Sequence, residues 1–143
     1  MSINTQVKQK INLSQISFGQ HGQMSVILRL IKSYFLYKSF LSADEEQALI
    51  KVLCFNIKHF LALNEGQKFL AYEKNNYSYY EERSSKAVRC KKAFLDLFVY
   101  QTMLTKEYQT TLKKGCLECK DLIEEIIMES KECENIIKHQ IIV

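Results

Sequence analysis

The chain contains no proline and no tryptophan, and only four glycines in 143 residues. Without proline, nothing in the sequence forces a break inside a helix. With so few glycines, there are few easy tight turns of the kind that many short strands require. No run of about 18 uncharged apolar residues occurs, so no membrane-spanning helix is expected. The polar N-terminal segment, residues 1–20, lacks the apolar core of a secretory signal. The five cysteines (Cys54, Cys90, Cys116, Cys119 and Cys133) are odd in number and scattered through apolar stretches. That pattern fits reduced thiols in a cytoplasmic protein better than a disulfide framework. What is present is ordinary globular material, 47% hydrophobic and 25% charged, in a length that buries one core without metal or disulfide support.

Charge is scarce in one sign at each end. Residues 1–41 hold Lys8, Lys10, Arg29, Lys32 and Lys38 and no acid, while residues 116–143 hold seven acids against three lysines. The whole chain carries +4. The plain reading is internal, with the acidic last helix lying near a basic one. The sharper reading is a basic surface for an acidic partner.

Helical periodicity dominates the rest. Residues 1–20 read as a loose arm or a short strand, because Ile11/Leu13 and Ile16/Phe18 alternate. Gly19 and Gly22 mark a break before the first strong helix, expected over residues 23–41. That helix has a stripe at Met24, Ile27, Leu28, Ile31, Tyr34 and Phe35. A second stripe follows Val26, Leu30, Leu36, Tyr37 and Phe40. So much apolar surface implies a central helix or an additional partner face. Ser42-Ala43-Asp44-Glu45 has the form of a capping box and opens a helix over 43–63, with Gly66 as a stop. In that helix Leu49, Val52, Leu53, Asn56 or Ile57, Phe60 and Leu61 are the expected buried set. Residues 67–83 are weakly helical. Ser84-Ser85 caps a long helix to about Lys113, whose inner face follows Ala87, Lys91, Phe94, Leu97 or Phe98, Gln101, Leu104, Tyr108 and Leu112. A last helix runs over about 116–140, with Ile123, Ile126 or Ile127, Ser130, Cys133 and Ile137 inside. The fold expected is all-α: a single-domain, antiparallel bundle of four or five helices spanning residues 1–143.

The constellations that carry chemistry are weak. Cys116-x-x-Cys119 with Cys133 and His139 has zinc-ligand residue types, but one straight helix separates Cys116 from Cys133 by roughly 25 Å. Those cysteines read better as small core hydrophobes. A redox role for Cys116-x-x-Cys119 would need a βαβ setting that the pattern lacks. His21, His59 and His139 have no partner at catalytic spacing, and His59 reads as a bundle-edge residue. No nucleophile elbow, zincin, phosphate-loop or dinucleotide motif occurs. The acids of the last helix lack the Glu-x-x-His companion of a di-iron bundle. No catalytic residue, cofactor or metal is therefore expected.

These features lead to a non-enzymatic interaction protein: an adaptor, inhibitor or small subunit of a larger assembly. It would bind another protein or a second copy of itself. The expected interface is Tyr34, Tyr37 and Phe40 with Tyr77, Tyr79 and Tyr80, since tyrosine is enriched at interface hot spots. The alternative is a nucleic-acid-binding helical protein. It would use the tyrosines for stacking and Arg83, Lys86, Arg89 and Lys92, turned to solvent, for phosphates.

Overall fold

In the computed structural model the described residues are 16–64, 86–114 and 120–142. Four helices account for most of them: α1 (Gln23–Tyr37), α2 (Ala43–Leu63), α3 (Lys86–Lys113) and α4 (Lys120–Ile142). The all-α bundle is thus the observed fold.

α1 starts where the glycines lie. Gly22 is its N-cap, and the Gly22 N–H donates to the Gly19 carbonyl at 2.9 Å. A Cβ on Gly22 would sit 2.5 Å from the Ile16 carbonyl oxygen and 2.7 Å from the Gly19 nitrogen. The turn is therefore too tight for any side chain. Before it, residues 16–18 form a helical turn rather than the strand or loose arm expected there. The reason is burial: Ile16 enters the main core, and the Ser17 hydroxyl donates to Asn64 Oδ1 at 2.7 Å. Residues 1–15 lie outside the described set.

α1 gives way to a 3₁₀ turn (Lys38–Phe40) instead of continuing to Leu41. The chain must straighten to present Ser42 as the next N-cap, and Leu41 and Ser42 are both extended. Ser42 Oγ accepts from the Glu45 N–H at 3.1 Å, and Glu45 Oε1 accepts from the Ser42 N–H at 2.9 Å. The capping box is complete, and α2 has the bounds its pattern predicts. It ends on Asn64, whose amide Nδ2 donates to the Phe60 carbonyl at 3.0 Å. Gly66 and Ser84-Ser85 lie outside the described residues.

The helices close a ring in the order α1, α2, α4, α3, with extensive contact between each neighbouring pair. Cross-bundle contacts give the directions. Gln23, at the start of α1, bonds Tyr108 near the end of α3. Lys51 pairs with Glu132, and Lys58, two turns further along α2, pairs with Glu129. Every ring neighbour is antiparallel. α2 and α3, successive in sequence, lie diagonally and run the same way. The main core takes Val26, Leu30, Leu49, Val52, Phe94, Leu97, Leu104, Ile123, Ile126 and Ile137, among others. A satellite cluster of Met24, Ile27 and Phe60 fills the α1–α2 seam.

Candidate functional site

Polar side chains at core positions are fixed by one another. At mid-bundle, Asn56 Nδ2 donates across the diagonal to Gln101 Oε1 at 2.8 Å, and Gln101 Nε2 donates to Ser130 Oγ at 2.9 Å. Ser130 also shares a hydrogen bond with the Thr105 hydroxyl at 2.7 Å. Thr102 and Thr105 each lie within hydrogen-bond distance of the Glu134 carboxylate, at 3.0 and 2.7 Å. At the end of the bundle, Gln23 Nε2 donates to the Tyr108 hydroxyl at 2.7 Å, and Asn64 Nδ2 donates to Gln23 Oε1 at 3.1 Å. Burial holds the Tyr108 phenol far above its usual titration range.

His59 is the one histidine in the core, 1% exposed. Its Nε2 lies 2.9 Å from Glu129 Oε1, and Lys58 Nζ reaches Glu129 Oε2 at 3.0 Å. A carboxylate only accepts, so Nε2 carries the proton and Nδ1 is bare. Nδ1 is buried with no hydrogen-bond partner, near the rings of Phe55 and Tyr108. Burial pushes the His59 pKa down, against the opposing pull of Glu129. Burial would raise the Glu129 pKa, but hydrogen bonds from His59 and Lys58 outweigh it and hold it down. The hydroxyl of Ser130 is committed to Gln101 and Thr105, and no hydroxyl or thiol among the described residues is hydrogen-bonded to His59.

Of the residues expected at an interface, the structure describes three, all at the end of α1 and the turn after it. Tyr34 is half-buried and its hydroxyl donates to Glu46 Oε1 at 3.1 Å. Tyr37 points into the main core, a correction that follows from its place two helical turns after Leu30 on the inward face. Phe40 is exposed. Tyr77, Tyr79, Tyr80 and Arg83 lie outside the described residues, and of Lys86 only the helical backbone is described. Arg89 is half-buried with its Nε enclosed, not turned to solvent as expected, whereas Lys92 is exposed. Cys116 and Cys119 also lie outside the described set. Cys133 is in the core, where burial pushes its thiol up to about 12, and His139 is exposed. Among the described residues no three His, Cys, Asp or Glu side chains gather as metal ligands.

The internal pairing of charge takes an unexpected route. Among the described residues, the salt bridges of α4 run from Glu129 and Glu132 to Lys51, Lys58 and His59 of α2. On α4, Lys120, Lys131 and Lys138 recur at helical spacing along one edge, which Glu124 and Glu134 share, while Glu129 and Glu132 are turned to α2.

Two surfaces stand out. The first is the outer seam of α1 and α2. Leu28, Ile31, Leu53 and Ile57 pack half-exposed on the satellite cluster. Phe35, Ile50 and Leu61 extend that seam at 71%, 43% and 51% exposure. The second is an open groove of about 390 Å³ between α3 and α4, lined by Phe98, Thr102, Lys106, Lys131, Glu134 and Lys138, among others. The seam was foreshadowed by the first of the two apolar stripes of the first helix, the one that carries Leu28, Ile31 and Phe35. It was also written in Ile50, Ile57 and Leu61, which repeat at seven and four residues on α2. The groove pairs residues from two helices and has no local signal. No protein-family model, no curated protein and no solved structure matches the chain.

Proposed function

We propose that the chain is a non-enzymatic interaction module, an adaptor, inhibitor or small subunit, that receives the apolar stripe of a partner helix along the α1–α2 seam. The observation that supports this reading is the uncharged ladder on that seam. From Ile50 to Leu61 the seam-facing positions of α2 are Ile50, Leu53, Cys54, Ile57 and Leu61, and opposite them α1 offers Leu28, Ile31 and Phe35. The ladder is roughly 16 Å long, about three helical turns. Scattered single apolar side chains are normal on a surface, but a contiguous row is not. The charged edge of α2, at Lys51 and Lys58, is engaged by α4.

The test places a photo-crosslinking side chain at Gln47, an exposed position on the same helix, in the intact protein. The expected result is one defined crosslinked peptide, lost when Phe35→Asp and Leu61→Asp are combined. Crosslinks that survive the double substitution, or that are equally abundant from a probe at Lys113 on α3, would refute the seam. Crosslinking to a second copy, with a dimer in sedimentation, would identify the partner helix as the chain's own.

A further inference from the structure

A different surface carries a second binding site. The α3–α4 groove has one lysine on the α3 wall, Lys106, and two on the α4 wall, Lys131 and Lys138. None of the three takes part in a salt bridge among the described residues, although α4 carries acids enough to pair them. Of those acids, Glu129 and Glu132 are engaged on the opposite edge, against α2. The one acid in the groove, Glu134, accepts from the hydroxyls of Thr102 and Thr105, which leaves a lining of net +2. Lys131 and Lys138 are two turns apart, about 10.5 Å. The same seven-residue step leads from Lys106 to the exposed Lys113 on α3. Lys120, at the start of α4, is exposed on the same edge as Lys131 and Lys138. Lys106, Lys131 and Lys138 therefore line the groove from both walls.

We propose that this groove binds single-stranded nucleic acid, with Lys106, Lys131 and Lys138 neutralising successive phosphates of one strand and the half-buried ring of Phe98 offering a face to an unpaired base. A line of flexible point charges between two helices suits a continuous, evenly charged backbone. The polar lining, Thr102, Gln109 and Asn135 beside the lysines, suits sugar and phosphate oxygens and is poor for burying the apolar stripe of a helix. The site shares no residue with the arginine and lysine cluster of residues 83–92 that the sequence singles out, and it is independent of the α1–α2 seam.

The experiment is fluorescence anisotropy of the full chain with a labelled single-stranded RNA of about 12 nucleotides across a salt series. An acidic peptide of equal charge and a duplex serve as competing probes. Three phosphate contacts correspond to a log–log salt slope of about −2, or about a 20-fold loss of affinity between roughly 50 and 200 mM salt. Combined Lys106→Gln, Lys131→Gln and Lys138→Gln should remove that part of the slope, while Lys92→Gln should leave it intact. Phe98→Leu should weaken binding without changing the slope. No binding at low salt, binding that the triple variant retains, or preference for the acidic peptide over the oligonucleotide would each overturn the assignment. The three lysines are surface residues, so circular dichroism of the triple variant should match the parent.

Discussion

A single buried imidazole makes the stability of this bundle depend on pH. His59 donates through Nε2 to Glu129 and keeps Nδ1 bare among Phe55 and Tyr108. Protonation would add a second N–H with no acceptor and a charge in the core. Glu129 and Glu125 favour that charge and Lys58 opposes it, but burial dominates and the pKa is lowered. The unfolded chain therefore takes up the proton more readily than the folded one. The contribution of His59 is complete above the ordinary histidine range and is lost as pH falls below it. Glu129 acts in the same direction in a separate, lower window, because its own pKa is held below the ordinary carboxylate value. The urea midpoint should fall between about pH 7.5 and 5.5, and fall less in His59→Gln, which keeps a donor for Glu129 and cannot titrate. Equal falls in the two proteins would show that His59 is not the sensor.

At the scale of the helix, local chemistry and long-range packing divide the work. The Ser42/Glu45 box is built from four consecutive residues and sets where α2 begins. Ser42→Ala should cost about 1 kcal/mol in equilibrium unfolding and leave the rest of the bundle as it is. A loss below about 0.3 kcal/mol would mean that α2 is positioned by its packing alone. The termini of α1 are set by less local causes: the backbone crowding at Gly22 and the demand for an extended Ser42. The periodicity of α1 identifies two apolar stripes without ranking them. Packing decides: Leu30 and Tyr37 go inside, while Phe35 and Leu36 are left outside. The same ambiguity on α2 places Leu61, expected inside, on the surface, and His59, expected at the edge, in the core.

Across the whole molecule, the hydrogen-bonded layer Asn56–Gln101–Ser130 ties three helices at one level. Sliding any of them by a turn would strand a buried amide. Gln101→Leu should cost about 1–3 kcal/mol, since it leaves Asn56 and Ser130 without their partner. The pair Asn56→Leu with Gln101→Leu should recover part of that loss, because a matched apolar pair leaves fewer orphans. A double-mutant cycle in urea checks both, and strictly additive losses would show that the two amides do not act as a unit. The arrangement of charge is also a whole-molecule property. The acidic helix does lie beside a basic one, since α4 packs on α3, but its salt bridges go to α2, whose own segment has an acidic balance.

Much of the fold was legible in the sequence. A chain without proline, with strong 3.6-residue periodicity and one complete capping box, has few options besides a helical bundle. Most inward residues of α3 and α4, including Phe94, Leu97, Leu104, Tyr108, Ile123 and Cys133, follow directly from their spacing. These signals are local, and local chemistry is what a sequence states openly. The diagonal placement of α2 and α3, the choice between two apolar stripes on α1, the Asn56–Gln101 contact and the lysine groove all depend on which helix stands beside which. Helix adjacency is settled by the summed packing of distant side chains. Only the tertiary structure could therefore show that Glu129 and Glu132 of α4 face α2 while Lys131 and Lys138 line an open groove with α3.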